Sequence, residues 1–245
     1  LTGGYNTALG YNSMYNSLVD ANTALGYSSM YGNTSGVNNT GVGYWSLWAN
    51  QTGSNNTAVG KFALQGVTDN SFSNNTAVGY NAGKAITTGT QNIAMGVAAL
   101  TAITTGSDNT ALGFDSLKTV TTGSQNVIIG SGSDASAADG TNQIAIGYGV
   151  TGGGNNTVVL GNGDVTAWLP TDTNEVDLGA SAKQLKDVYV DGVTYTDALG
   201  FGTTAMTLPT ADGTNGQVLK TDGSGALSWT GSLEQITENS QTGYR

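Results

Sequence analysis

Cysteine and histidine are both absent from this sequence of 245 residues. Within it no disulfide can form, and there is no thiolate or imidazole to act as nucleophile, general base or transition-metal ligand. Ser-His and Cys-His catalytic sets are excluded for the same reason. We therefore expect neither a cofactor nor a metal site. A chain without cysteine suits oxidising and reducing compartments equally, so its cysteine usage does not locate it.

Charge and proline are also scarce, at 10% charged residues and two prolines. Disordered chains are rich in both, so their scarcity favours a folded chain whose polar character comes from turn residues such as its 38 glycines. The net charge is −10 and no basic cluster occurs, which predicts that neither nucleic acid nor an anionic membrane is a partner. No apolar run approaches the roughly 20 residues of a membrane-spanning helix.

A repeated phrase, Asn-Thr-Ala-Val/Leu-Gly, dominates the first two thirds of the chain. The closing glycines of successive copies lie 16, 17, 17, 19, 17, 17, 17, 17 and 14 positions apart. A constant period of this size indicates a repeat architecture. The copies, of which the last three are weaker, end at Gly10, Gly26, Gly43, Gly60, Gly79, Gly96, Gly113, Gly130, Gly147 and Gly161.

Each repeat is too short for a helix pair or a propeller blade, but it suits one coil of a parallel β-solenoid. Two β-prone segments lie in each unit, the phrase itself and a Thr-Thr-Gly segment such as residues 104–106, with turn residues between them. Neighbouring coils would be stacked about 4.8 Å apart, so ten coils would form a rod segment roughly 50 Å long. The sequence thus predicts an all-β fold with a solenoid over residues 1–164.

The repeated strand is apolar on both faces. In the copy at residues 57–60, Ala58 and Val59 point to opposite sides of the strand, as neighbours in a strand do. A strand with two apolar faces is buried on both, and a single two-sheet solenoid covers only one. We therefore expect copies of the chain to pack in parallel as a homotrimer around the rod axis.

The repeats at residues 75–82 and 109–113 resemble those of trimeric autotransporter adhesin heads and of the phage tail fibres that share this β-roll. The resemblance covers about two thirds of the chain, and family coils are usually shorter than these. It implies a trimeric extracellular rod with no enzymatic activity.

The remainder of the chain is predicted to hold a connector or shaft over residues 165–205 and a small collar-like module over 206–245. Residues 177–179, 185–192 and 208–229 are similar to phrases common in phage tail fibres. Residues 218–220 and 227–229 flank Asp-Gly and Ser-Gly, a pattern typical of a β-hairpin. Because the sequence starts at Leu1 and shows no signal peptide, we expect it to be a section of a longer chain.

Aromatic residues recur after the closing glycine of the first three repeats, and they are the candidates for ligand binding. A ladder of rings on adjacent coils would stack against sugar rings, or it would pack against a neighbouring chain or a preceding domain. The candidates are Tyr11, Tyr15, Tyr27, Tyr31, Tyr44, Trp45 and Trp48.

Three functions are compatible with these patterns. The first is a structural section of a phage tail fibre or spike in the virion, which projects a receptor-binding tip and contacts host glycans. Its partners would be its own copies, other tail or baseplate proteins and a host cell-surface glycan. The second is a bacterial surface adhesin or extracellular appendage.

The third is a polysaccharide-degrading tailspike, which would need paired carboxylates. The acids of the repeat array lie at or near turns and do not recur in facing columns, so no catalytic residue is predicted. They are Asp20, Asp69, Asp108, Asp115, Asp134, Asp139 and Asp164.

Overall fold

A computed structural model describes residues 4–17, 19–67, 70–165, 198–201, 204–207, 209, 213–224 and 226–231. The chain divides into two compact units, Leu1–Leu169 and Pro170–Arg245. Within the described ranges, no helix has the length and apolar character needed to cross a bilayer.

The first unit is a parallel β-solenoid, as the repeat predicted. Ten three-residue strands form one sheet in which each strand pairs in parallel with the next along the chain. We number the coils by the strand that begins them, so that coil 3 begins with β3. The strands are β1 (Thr7–Leu9), β2 (Thr23–Leu25), β3 (Thr40–Val42), β4 (Thr57–Val59), β5 (Thr76–Val78), β6 (Ile93–Met95), β7 (Thr110–Leu112), β8 (Val127–Ile129), β9 (Ile144–Ile146) and β10 (Val158–Leu160).

The prediction of two strands in each coil was wrong, because the Thr-Thr-Gly segment forms a turn. In coil 6 the backbone N–H groups of Thr104, Thr105 and Gly106 all donate to the carbonyl oxygen of Thr121, at 2.9, 3.2 and 3.4 Å. Three consecutive donors converge on one acceptor only when the backbone is bent, whereas an extended strand spreads its donors along a ladder. The coils therefore stack through one sheet and a set of hydrogen-bonded turns.

The turns that follow β1 to β7 use left-handed residues that are not glycine. After Gly96 (φ +139°), Ala98 and Leu100 have φ of +57° and +50°. Such conformations cost of order 1–3 kcal/mol each. The cost is offset because Leu100 is fully buried and its N–H donates to the carbonyl of Ser116 on the next coil at 3.0 Å.

A column of asparagines runs through the interior. The backbone N–H of Asn92 donates to Oδ1 of Asn75 at 2.9 Å, and its own Nδ2 donates to the carbonyl of Gly106 at 2.9 Å. The N–H of Asn109 then donates to Oδ1 of Asn92 at 3.1 Å. This ladder satisfies the buried polar groups of the coils, which would otherwise destabilise the stack. Gln143 continues the ladder, because its backbone N–H donates to Oδ1 of Asn126 at 3.0 Å.

The two apolar faces of the strands have different surroundings. The middle residue points into the coil, where Ala58 is 0% exposed, and the last residue points outward, where Val59 is 37% exposed. The alanine column is therefore covered by its own chain, and the Val/Leu column lies on the outside. The outer column consists of Leu9, Leu25, Val42, Val59, Val78, Met95, Leu112, Ile129, Ile146 and Leu160.

The second unit contains two antiparallel strand pairs among its described residues. Strands β11 (Ala198–Phe201) and β12 (Thr204–Thr207) form one pair, and β13 (Val218–Thr221) and β14 (Leu227–Thr230) form the other. The second pair confirms the predicted hairpin. The predicted boundary between residues 205 and 206 falls within β12, and residues 166–197 of the predicted connector lie outside the described residues.

The turn of this hairpin is held by Asp222. Its carboxylate accepts hydrogen bonds from the hydroxyl and the N–H of Ser224, at 2.7 and 2.8 Å, and from the N–H of Ala226 at 3.0 Å. Because these donors favour the ionised form, they lower the pKa of Asp222 to about 2.

Candidate functional site

The aromatic candidates lie on the outside of the turn that follows each strand. Residues one and five positions after the closing glycine point outward, whereas the residue four positions after it points inward. In coil 3 these are Tyr44 and Trp48 on the outside and Leu47, fully buried, on the inside. Leu47 points inward with φ +51°, a left-handed conformation. The same geometry buries Met14 and Met30 in coils 1 and 2.

Two columns of stacked rings result from this arrangement. In the first column, the ring centroids of Tyr11 and Tyr27 are 5.5 Å apart and those of Tyr27 and Tyr44 are 5.1 Å apart. Because the coils repeat at nearly this spacing, rings at equivalent positions reach the 4.5–7 Å separation that aromatic pairs prefer.

The second column contains Tyr15, Tyr31 and Trp48. Its centroids are 5.3 Å apart between the tyrosines and 6.4 Å apart between Tyr31 and Trp48. Trp45 stacks on Tyr44 and on Trp48, at 5.3 Å in each case, and so joins the two columns. The structure thus brings all seven predicted candidates together on one side of the solenoid. We call the outer face formed by these two columns, from coil 1 to coil 5, the aromatic surface.

Stacking changes what this surface offers to a ligand. Within a column the rings cover one another's faces, so they pack mainly against rings of the same chain. Tyr11, the first ring of its column, is 70% exposed. Tyr27 is stacked between Tyr11 and Tyr44 and is 44% exposed, so it offers mainly its edge and its hydroxyl group. Such an edge is amphipathic, because it combines apolar carbon with a donor and acceptor group.

A pocket of about 270 Å³ lies beside the second column. Tyr31 and Trp48 supply its aromatic walls, and Asn16, Thr34 and Gln51 supply polar groups. Its size is just below the roughly 300–1,000 Å³ of pockets for drug-sized ligands. The pocket therefore suits a small ring that carries hydroxyl groups.

The columns continue beyond the predicted candidates. Phe62 of coil 4 contacts Tyr44 edge-on, with centroids 5.6 Å apart, and Tyr80 of coil 5 lies 6.1 Å from Phe62. Sequence reasoning missed both, although the signal was present. Tyr80 directly follows Gly79, as Tyr44 follows Gly43, and Phe62 occupies the position of Trp45 relative to its closing glycine.

Two lysines also belong to these columns. Lys61 follows Gly60 directly and lies in the first column, between Tyr44 and Tyr80. Its Nζ is 5.3 Å from the ring centroid of Tyr44 and 4.9 Å from that of Phe62. Lys84 of the second column places its Nζ 5.0 Å from the Phe62 centroid. These are cation–π distances.

Among the residues that the structure describes, acidic side chains do not gather into a second site. Asp115 pairs with Lys118 at 3.1 Å, and Asp134 accepts the N–H of Thr119 at 3.1 Å. Burial raises the pKa of Asp134, and hydrogen bonds from Thr119 and Ala135 partly oppose that rise. Within the described ranges, no group of three or more acidic residues is placed to hold a metal ion.

Comparisons with family models, with curated proteins and with solved structures found no match to this chain.

Proposed function

We propose that the chain is a section of a homotrimeric fibre or spike of a phage tail, in which it projects a receptor-binding tip and contacts host glycans through the aromatic surface. A β-solenoid is compatible with a structural role in a fibre, spike or adhesin. The outer Val/Leu column is the observation that carries the proposal.

The outer column is continuous over ten strands, and seven of its residues are large hydrophobic side chains left exposed by the single chain. A contiguous apolar strip of this kind marks an interaction surface. Parallel sheets are normally covered on both faces, and a copy of the same chain has the same coil spacing along its own column. The resemblance of the repeats to trimeric proteins supports three copies. The exposed residues are Leu9, Leu25, Val59, Met95, Leu112, Ile146 and Leu160.

The test of this proposal is the mass of the purified chain in solution. We expect the mass of three chains by native mass spectrometry and light scattering. Met95→Lys combined with Leu112→Lys should give monomers, because two charges in a buried apolar strip would be left unpaired. Thr105→Lys, at an exposed position away from the column, is the control. A monomeric wild-type chain would contradict the proposal.

A bacterial surface adhesin is the second candidate, and the place of the aromatic surface favours it. The surface lies along the side of coils 1–5, where a laterally bound partner would reach it. Gold-labelled antibodies against the chain distinguish the two candidates. Label on phage tails supports the fibre, and label on intact cells that carry no phage supports the adhesin.

A further inference from the structure

The aromatic surface changes from aromatic to cationic along the solenoid. In the second column Gln65 and Lys84 follow Trp48, and in the first column Lys61 follows Tyr44. The two ends of one continuous surface therefore offer different chemistry, rings and hydroxyls on coils 1–3 and ammonium groups on coils 4 and 5.

This stretch differs in charge from the rest of the chain. Between Asp20 and Asp108 the sequence holds two lysines, Lys61 and Lys84, and one acid, Asp69, which gives +1 where the whole chain carries −10. Asp69 lies outside the described residues. The positive balance of this stretch favours an anionic partner here over the rest of the chain.

Both lysines are held in place without being neutralised by a described acid. They contact the Phe62 ring at 4.9 and 5.0 Å, and the ion pair found among the described residues is that of Lys118 with Asp115. Lys118 occupies the same column as Lys84, five residues after its closing glycine. It therefore serves as a matched lysine whose charge is already compensated.

Buried polar atoms without a hydrogen-bond partner concentrate in the same place. Such atoms are the indole Nε1 of Trp45, Oε1 of Gln65 and Oδ1 of Asn81, which belong to coils 3, 4 and 5. They are three of the four found among the described side chains, the other being Oγ of Ser17. Unpaired buried groups are unfavourable, and a bound polar molecule or water is a common remedy.

We propose that the aromatic surface binds an acidic glycan, with a sugar ring in the pocket beside Tyr31 and Trp48 and carboxylates at Lys61 and Lys84. This inference rests on the glycan contact of the proposed function. Hydroxyl groups of the glycan meet the amides of Asn16 and Gln51 and the tyrosine edges. Nucleic acid is disfavoured because two lysines neutralise few phosphates on a chain of net charge −10.

The test uses the full chain on an array of short oligogalacturonates and sialylated oligosaccharides, each printed beside its methyl ester. The ester keeps the sugar and removes the charge. We expect each bound acid to be retained about tenfold better than its ester, the preference that a charged hydrogen bond supplies. Lys61→Gln with Lys84→Gln should abolish that preference and leave ester binding unchanged. Lys118→Gln should change neither, and Trp48→Ala should reduce binding of both forms.

The outcomes separate this inference from the proposed function. Equal binding of acids and esters would show that the ligand need not be acidic. So would an effect of Lys118→Gln as large as that of the double variant Lys61→Gln with Lys84→Gln. Either result would leave the proposed glycan contact in place. Binding of polyglutamate as strong as that of oligogalacturonate would overturn the glycan class. Absence of binding to every sugar would overturn both the inference and the glycan contact, and the trimer would still be tested by its mass.

Discussion

Coils 3 and 7 of the solenoid present nearly the same interior. Leu47 and Leu117 are both fully buried at the same position of the turn, and Asn56 and Asn126 both close their coils within the asparagine ladder. Their outer positions differ. Trp45 and Trp48 of coil 3 correspond to Asp115 and Lys118 of coil 7.

The same turn thus carries stacked tryptophans in one coil and a surface ion pair in the other. The inner columns therefore specify the stack, while the outer positions are free to vary in chemistry. An outer column that keeps one type of residue over adjacent coils, as the tyrosines do, therefore points to a role beyond stacking.

The largest effect is expected from an inner backbone position, at Gly96→Ala. A Cβ there would lie 2.6 Å from the carbonyl carbon of Gly113, and φ is +139°. Clash and strain together should cost about 3 kcal/mol or more. Gly132→Ala is the control, because Gly132 also has positive φ but has no atom within 4 Å of the added Cβ. Urea unfolding at fixed protein concentration measures both, and equal midpoints would contradict the expectation.

The asparagine ladder should be the next most sensitive feature. Asn92→Ala leaves the carbonyl of Gly106 and the N–H of Asn109 without their partners inside the stack. We expect a loss of about 2–3 kcal/mol in the free energy of unfolding, which the same urea titration detects. Thr105→Ala, at an exposed position, should stay within about 0.5 kcal/mol of wild type.

Replacing an outer residue of coil 3 by its counterpart from coil 7 should lower the free energy of unfolding by less. Trp48→Lys gives coil 3 the residue that coil 7 carries at this position, and it removes the ring contacts to Tyr31 and Trp45. The loss should be about 1 kcal/mol, with an unchanged far-ultraviolet circular dichroism spectrum. A loss as large as that of Asn92→Ala would show that the outer columns also specify the stack.

The smallest effect is expected at the ion pair of coil 7. The Lys118 side chain is 47% exposed, and its partner Asp115 lies three residues before it in the sequence. Exposed pairs contribute roughly 0–1 kcal/mol. Lys118→Ala should therefore shift the urea midpoint hardly at all, and added salt should remove the remaining difference. A shift of the urea midpoint larger than that of Trp48→Lys would contradict the expected ranking of the two variants.

Much of the candidate site was predictable from the period alone. Tyr11, Tyr27 and Tyr44 each follow a closing glycine, so equal coils must align them. Lys61 and Tyr80 follow closing glycines too and were predictable by the same rule. The run of aromatic residues in this column ends at Lys61, so residue type alone did not extend the predicted site to Lys61 or to Tyr80 beyond it.

The turns were not predictable in the same way. Alternation of faces holds for extended strands and correctly separated Ala58 from Val59. It does not hold where left-handed residues intervene, because the neighbours Ser46 and Leu47 are both fully buried, so alternation alone could not assign the inward positions of the turn. Nor could it show that the Thr-Thr-Gly segment bends around one carbonyl instead of extending as a second strand.

The order of residues was enough to establish the repeat, the parallel stacking and the identity of each column, because a constant period aligns equivalent positions whatever the cross-section of the coil. The direction of each column was decided only in the folded chain. The left-handed residues four positions after the closing glycine, such as Leu47 and Leu100, turn their side chains into the core, and the residues that follow them, such as Trp48, are left outside, where the aromatic surface forms.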